Sequence, residues 1–381
     1  MKNLKLELVR GLAALMVFFC HCGMNCQPLF FNPIYHSLTN WALEAVIIFF
    51  VLSGVVIHIS QLNRPKSPNQ FLLNRLKRLY PQYLVGLLLG FALYGWDMKL
   101  FLGHAFFLAT LKGYIVQVIP TNPAVWSLTF EMFFYLLYYL YLRSGSNKGV
   151  MRVWIAASII CVPLYYLRLH GIAGHLIAMF AFSSLWLLGY FLVKYIGLIP
   201  KPTLPQVFFS VGILMLSARI RYTSEYYCII KCFIFSLVAI PLFTYCLSDR
   251  SRNKKQLKWY YLIGAYLLFV GLIQVYSRSM GSSKFIYLFC PPAFYLCAVL
   301  LDRAAKIKAL LLNIGGFLGN ISYSLYIIHF PLLYIIGTII GITRPVYFLP
   351  VALVTVIPLA WLLESITQRL FMSRGKFSLT H

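Results

Sequence analysis

The chain of 381 residues is too apolar to be a water-soluble globular protein, since 61% of its residues are hydrophobic and 11% are charged. Soluble domains carry roughly 25% charged residues. The formal net charge of +25 comes from 33 Lys and Arg against 8 Asp and Glu. In a multi-spanning membrane protein such an excess reflects orientation more often than binding to nucleic acid.

Apolar runs recur along the chain, and each is long enough to cross a bilayer as a helix, which takes ~20 residues. The runs do not show the ~10-residue alternating segments of a transmembrane β-barrel. We therefore predict an all-α fold, a polytopic transmembrane helical bundle of about 10–12 spans, with a single membrane-embedded domain over 1–381 and no separate soluble domain. The candidate spans are 6–24, 39–59, 79–96, 124–142, 151–169, 174–196, 204–220, 227–247, 258–276, 284–301, 311–340 and 346–370.

The first span contains the stretch VFFCHCGMNC, in which Cys20, His21, Cys22 and Cys26 fall within seven residues. Zinc needs ligands that converge on one point. Consecutive residues of a helix point ~100° apart, so a contiguous Cys-His-Cys cannot converge. We predict no metal site here and interpret the cysteines as small packing residues.

Arg10 and His21 lie eleven residues apart in this span. Eleven helical steps make about three turns, so both side chains leave nearly the same face, ~16 Å apart along the axis. Two interpretations of His21 stay open at this point. It is either a functional imidazole or a packing histidine that is bonded to a neighbouring helix.

Two acids inside predicted spans bear on His21, namely Glu44 in WALEAVIIFFVLSG and Glu131 in AVWSLTFEMFFYLLYYL. Ionisable groups at membrane depth are costly unless they face the bundle interior and pair. A carboxylate beside a histidine orients the imidazole and stabilises its charged form, as a general base requires. The alternative for each acid is a structural bond to another helix. Glu7 and Glu364 lie near the ends of spans and are interpreted as interface residues.

The stretch FLLNRLKRLYPQYL precedes and enters the third span and places Arg75 and Arg78 one helical turn apart. Two guanidinium groups at i and i+3 present adjacent forks that suit phosphate. The alternative is a basic flank that contacts anionic lipid. The following segment 98–119 is apolar but contains charged and polar residues, and we interpret it as re-entrant or interfacial.

The distribution of basic residues predicts which side each loop occupies. Lys and Arg concentrate in the segments 60–78, 143–152, 248–258 and 302–308 and in the tail after Arg369. The loop 25–38 contains neither. If the spans alternate, the basic segments all fall on one side, so we expect both termini in the cytoplasm. The first residues are interpreted as part of an uncleaved first helix, because no small-residue cleavage site follows them.

Five motifs occur in order along the chain and together resemble the acyltransferase-3 family of bacterial membrane O-acyltransferases. They are R-x10-H (Arg10, His21), FFVLSG (Phe49 to Gly54), RLKRLYP (Arg75 to Pro81), WSLTFE (Trp126 to Glu131) and ISYSLYIIHFP (Ile321 to Pro331). The resemblance implies transfer of an acyl group, usually acetyl, from cytoplasmic acetyl-CoA to a hydroxyl of a cell-surface glycan. It also implies a multi-pass protein of the bacterial inner membrane.

The resemblance further implies roles for individual residues. His21 is the catalytic histidine with Arg10 as its partner, and Glu131 and Glu44 are the associated acids, although the family often has Asp at the second-span position. Arg75 and Arg78 serve the CoA end of the donor. His329, Tyr323 and Trp126 are expected to bind substrate or to stabilise the oxyanion, and the alternative for His329 is a packed histidine that is bonded between helices.

The expected partners are acetyl-CoA as co-substrate, a glycan or lipid-linked sugar acceptor, and membrane lipid, with no metal and no nucleic acid. His21 would remove the proton of the acceptor hydroxyl, or would be acylated first and pass the group on. Two other classes of function stay open. One is a transporter or flippase for a glycan or lipid-linked substrate, to which buried ionisable groups are also suited. The other is a membrane-embedded sensor or interaction protein.

Overall fold

A computed structural model describes residues 3–25, 42–217, 229–251, 253–276 and 288–371. In these residues the chain forms fourteen α-helices and one pair of two-residue strands. The first seven helices are α1 (Leu4–Asn25), α2 (Ala42–Asn63), α3 (Pro68–Tyr94), α4 (Met98–Ala105), α5 (Trp126–Arg143), α6 (Lys148–Leu164) and α7 (Gly171–Lys194). The other seven are α8 (Leu204–Ser217), α9 (Ile229–Val238), α10 (Ile240–Cys246), α11 (Trp259–Tyr276), α12 (Cys290–Arg303), α13 (Ala305–Tyr334) and α14 (Pro345–Phe371).

The fold is the predicted all-α polytopic bundle. Within the described ranges, seven helical stretches are long and apolar enough to cross a membrane. They are Leu4–Asn25, Ala42–Asn63, Pro123–Arg143, Lys148–Leu167, Gly171–Lys194, Ala305–Ile339 and Pro345–Phe371. Two shorter apolar helices, Leu204–Leu216 and Trp259–Gly271, fall below that length. Each of the twelve predicted spans has a helical counterpart, but the predicted span 227–247 consists of two helices, α9 and α10.

Polar caps at the starts of three helices explain where they begin. The side chain of Ser67 accepts a hydrogen bond from the Gln70 backbone at the start of α3. Asp97 does the same for Leu100 at the start of α4, and Asn147 caps α6. Each side chain satisfies a backbone N–H that has no partner within its helix.

The segment after α3 is not a spanning helix. α4 has eight residues, which is ~12 Å of helix and well short of the bilayer core. The parallel strands β1 (Ala109–Thr110) and β2 (Val116–Gln117) follow it. The ring of Phe107 stacks on that of Tyr83 at 4.6 Å, so the segment folds back along α3. Burial lowers the pKa of His104, in α4, to about 4.

The chain divides into two compact units. The first contains Met1–Ala13, Leu43–Leu62 and Leu185–Gly319. In this unit α2 and α7 approach closely through two glycines. A Cβ on Gly54 would lie 2.1 Å from the Trp186 carbonyl oxygen, and one on Gly189 would lie 2.0 Å from that of Val51. Small residues allow such helix contacts in membranes, where packing drives association.

The second unit contains Ala14–Ala42, Asn63–Ser184 and Asn320–His381. Here α3 lies against α13, because a Cβ on Gly86 would meet the Ile327 side chain at 2.2 Å. The Asn122 amide donates to the carbonyls of Gly86 and Ile327, at 3.1 Å each, and so ties both helices to the start of α5. α3 and α13 carry several of the residues that the motifs single out.

Candidate active site

Two histidines from distant parts of the chain meet in the second unit. His21 comes from α1 and His329 from α13, and 2.6 Å separates His21 Nδ1 from His329 Nε2. The two rings are nearly parallel, with an interplanar angle of 15° and centroids 4.9 Å apart. His329 is 1% exposed, and the ring of Phe330 packs edge-on against His21. The structure therefore pairs the first-motif histidine with the last-motif histidine.

The surroundings of His329 determine where the protons of this pair lie. His329 Nδ1 is 2.8 Å from the Tyr326 carbonyl oxygen and 3.1 Å from that of Leu325. Carbonyl oxygens only accept hydrogen bonds, so Nδ1 carries the proton and Nε2 of a neutral ring is an acceptor. His21 Nδ1 must then be the donor to His329. The lone pair of His21 is consequently on Nε2, the nitrogen that is free to act as a base.

A hydrogen-bond chain connects this pair to the WSLTFE motif. The Tyr326 hydroxyl donates to the Ala124 carbonyl at 2.8 Å. It accepts in turn from Ser127, whose Oγ is 2.7 Å away. The carbonyl of Tyr326 is one of the two that hold His329. Neither Ser127 nor Tyr326 is among the residues predicted from the sequence, although each is part of a quoted motif that could have indicated it.

Arg10 is held by an acid on its own helix. Its Nη1 lies 3.1 and 3.0 Å from the two carboxylate oxygens of Glu7. Glu7 is 7% exposed, so it is a buried partner of Arg10. The i, i+3 spacing brings the two side chains together. Gly319 on α13 leaves room for them, since a Cβ there would lie 2.7 Å from Glu7 Oε2.

Glu44 has a cationic partner that the sequence did not suggest. Lys231 Nζ on α9 lies 3.0 Å from Glu44 Oε1, and Glu44 is 2% exposed. The sequence does contain a signal for this pair. Lys231 is the one cation in the apolar run IIKCFIF, and a lysine at membrane depth needs an acidic partner. This pair lies in the first unit.

Glu364 is buried among three helices of the second unit. It is 7% exposed and accepts hydrogen bonds from Gln82 on α3, Ser324 on α13 and Gln368 on α14, at 2.8 to 2.9 Å. Three neutral donors thus satisfy this carboxylate. The cluster joins three helices of the second unit and holds α3 and α13 in register.

Arg75 and Arg78 lie on α3, and Arg75 contacts two aromatic rings. The guanidinium carbon of Arg75 is 5.6 Å from the ring centre of Phe71 and 5.9 Å from that of Tyr135, so it contacts the faces of both. Just before α3, burial and the nearby charges of Arg75 and Arg64 lower the pKa of Lys66. Cations therefore crowd together at this end of α3, an arrangement that favours an anionic ligand.

Glu131 and Tyr323 lie near the arginines in the second unit. Glu131 accepts a hydrogen bond from the Tyr135 hydroxyl, one turn along α5. Tyr323 donates to the Leu79 carbonyl at 2.9 Å and lies near Glu131 and Arg78. Trp126 is 8% exposed at the start of α5 and packs edge-on against Phe130.

The cysteines of the first span are not part of a metal-binding group in the described part of the chain. Cys20 and Cys22 are buried in α1. No cluster of three or more His, Cys, Asp or Glu side chains that could hold a metal ion occurs among the described residues. Cys26 lies outside those residues.

Comparison with known proteins gives a matching family and a curated relative. The acyltransferase-3 family model, described as an acyltransferase domain, matches residues 3–365. A curated protein of Streptomyces mycarofaciens, acyltransferase MdmB, is 31% identical over 178 residues. That alignment covers 41% of this chain and 44% of the relative, so the chain matches less than half of the relative's length. No solved structure matches this chain.

Proposed function

Because the chain belongs to the acyltransferase-3 family, we propose that it moves an acetyl group from cytoplasmic acetyl-CoA to a hydroxyl of a cell-surface glycan or a lipid-linked sugar. The proposed base is His21. The proposed location is the bacterial inner membrane, with both termini in the cytoplasm, as the distribution of Lys and Arg favours. Membership of the family supports acyltransferase activity at a membrane.

The observation that carries the proposal is the contact between His21 Nδ1 and His329 Nε2 at 2.6 Å. It supports a base because the backbone carbonyls behind His329 leave the lone pair of His21 on Nε2. A general base needs an oriented imidazole with an unprotonated nitrogen. A packing histidine does not need a second imidazole that orders its protons.

The proposed reaction uses this order of protons. Nε2 of His21 takes the proton of the acceptor hydroxyl as that oxygen attacks the thioester carbonyl. A bond forms between the acceptor oxygen and the acetyl carbon, and the bond from that carbon to the CoA sulfur breaks. The leaving thiolate then takes the proton back from His21. While His21 is charged, its Nδ1–H remains bonded to His329 Nε2, which helps to stabilise the imidazolium.

The donor is expected to approach from the arginine end of α3. Acetyl-CoA is polyanionic, and Arg75 and Arg78 present two guanidinium groups one turn apart with Lys66 nearby. Guanidinium forks bind phosphate well because their paired N–H groups match its oxygens. We therefore propose that these arginines bind the phosphates of CoA, and that Tyr323 and Trp126 contribute to the substrate path.

The test is transfer of label from acetyl-CoA by the purified protein. Protein in detergent or nanodiscs is incubated with acetyl-labelled CoA and glycan extracted from the surface of the native host, and the label in glycan and in protein is measured. We expect labelled glycan with wild type and at least ~10³-fold less with His21→Ala. His58→Ala is the matched control, since it removes another buried span histidine and should retain activity.

Two results would contradict the proposal. Full activity of His21→Ala would remove His21 from the role of base. A wild-type protein that moves glycan or lipid-linked sugar across a vesicle membrane without consuming any thioester would be a transporter or flippase. Stable label on His21 of the wild type would instead identify an acyl-histidine route.

A further inference from the structure

Glu131 has its described hydrogen-bond partner on its own helix. The Tyr135 hydroxyl, four residues further along α5, donates to Glu131 Oε1. A spacing of four residues places the two side chains on one face, one turn apart. The ring of His21 has a different hydrogen-bond partner. His21 Nδ1, on α1, is bonded to His329 Nε2, on α13.

Tyr135 also contacts the donor-side arginine. Its ring centre lies 5.9 Å from the Arg75 guanidinium carbon, next to the ring of Phe71, whose centre lies 5.6 Å from the same carbon. Tyr135 is 3% exposed. A guanidinium within ~6 Å of an aromatic face is attracted to it. The hydroxyl of Tyr135 is thus held by Glu131, while the ring of Tyr135 contacts Arg75.

A second tyrosine, Tyr323, lies near Glu131 and Arg78. Its hydroxyl donates to the carbonyl of Leu79, the residue after Arg78, at 2.9 Å. Both tyrosines therefore contact the segment of α3 that carries the two arginines.

We propose that Glu131 is a positioning residue for donor binding and does not orient His21. It fixes Tyr135, and Tyr135 holds the Arg75 guanidinium in the place where it binds a phosphate of acetyl-CoA. This inference rests on the proposed function, and it differs from the role of catalytic acid that the family resemblance implies for Glu131. The contribution of Glu131 is that of a hydrogen-bond acceptor, and its negative charge is not required.

Three variants separate these roles. Glu131→Gln retains an oxygen that accepts from Tyr135, so KM for acetyl-CoA should stay within twofold of wild type. Glu131→Leu and Tyr135→Phe both break the bond, and each should raise KM for acetyl-CoA and the Kd for CoA roughly three- to fivefold. The double variant should be no worse than either single one, because both changes remove the same interaction.

The pH profile distinguishes a positioning role from contact with the base. The acid limb of kcat reports the group that must be unprotonated in the complex. We expect Glu131→Gln and Glu131→Leu to leave kcat and this limb unchanged. His329→Gln, which alters the partner of His21, should lower kcat and move the limb. Thr129→Val is the matched control on α5, since it removes a buried hydrogen bond to the Ala109 carbonyl. We expect it to leave KM for acetyl-CoA unchanged.

Several outcomes would overturn the inference. If Glu131→Gln lost kcat and moved the acid limb as His329→Gln does, Glu131 would act on the base. An unchanged KM in Glu131→Leu would exclude a donor role, provided that this variant elutes as a folded monodisperse protein. The Kd for CoA keeps the two proposals distinguishable. A wild type that binds CoA but transfers no acetyl refutes the proposed function, while the variants still report on Glu131.

Discussion

Single side chains determine the chemistry of the histidine pair. His329 lies between the two backbone carbonyls at its Nδ1 and the ring of His21 at its Nε2. An amide at position 329 would still accept from His21, but it could not share the charge that His21 acquires. An aliphatic side chain would do neither.

We expect His329→Gln to lower kcat by about 10- to 100-fold and His329→Leu by about 10³-fold or more, with KM for acetyl-CoA little changed. Steady-state acetyl transfer at saturating donor measures both. A His329→Leu protein with wild-type kcat would show that His21 works without its partner.

The Glu7–Arg10 pair on α1 permits a prediction of stability. Its side chains are 10% and 14% exposed, so Glu7→Gln would leave a mostly buried guanidinium without its carboxylate. We expect a loss of about 2–3 kcal/mol, seen as a lower unfolding temperature in detergent. Asp302→Asn is the control, because it breaks the far more exposed Lys308–Asp302 pair and should cost less than ~1 kcal/mol. Equal effects of the two variants would contradict the argument.

Most residues of the candidate site can be selected from the sequence, but their partners on other helices cannot. Arg10, His21, Glu131 and His329 could be selected because ionisable groups are rare at membrane depth. Spacing on one helix gives face and depth, but it does not say which helices are neighbours, so the contact of His21 with His329 could not be read from the chain. Partners on the same helix, Glu7 for Arg10 and Tyr135 for Glu131, were available from the i, i+3 and i, i+4 spacings.

The spanning helices were predictable because each contains a long apolar run. The exception is the predicted span 227–247, which breaks between α9 and α10. Pro241 lies in the first turn of α10, where its missing N–H breaks the hydrogen-bond ladder of a continuous helix. Pro241 is visible in the sequence, but hydropathy, which was the basis for the predicted spans, does not detect a break in a helix.

The close contact of α2 with α7 gives a prediction about packing. Gly54→Ala would place a Cβ 2.1 Å from the Trp186 carbonyl oxygen, so the two helices would have to separate. We expect a destabilisation of about 2–3 kcal/mol, measured as a fall in the unfolding temperature. Gly264→Ala on α11 meets no atom within 4 Å, so it should change stability by less than ~1 kcal/mol. A Gly54→Ala protein as stable as Gly264→Ala would contradict this description of the contact.

At the scale of the whole molecule, the excess of 33 Lys and Arg over 8 Asp and Glu yields a prediction of orientation. We expect a green fluorescent protein fused to the C-terminus to fluoresce and an alkaline phosphatase fused there to be inactive, because the basic segments favour the cytoplasm. An active phosphatase fusion would place the C-terminus on the other side and require an odd number of spans or an external N-terminus.

The pairing of one imidazole with another has an electrical consequence. Two imidazole rings with nitrogen atoms 2.6 Å apart cannot both be cations. In the arrangement of protons described above, neither ring is charged. A histidine beside a carboxylate would maintain a formal anion in the low-dielectric interior at all times, with its full solvation penalty. In the proposed reaction the histidine pair is electroneutral at rest, and it becomes charged only while His21 holds the proton of the acceptor hydroxyl.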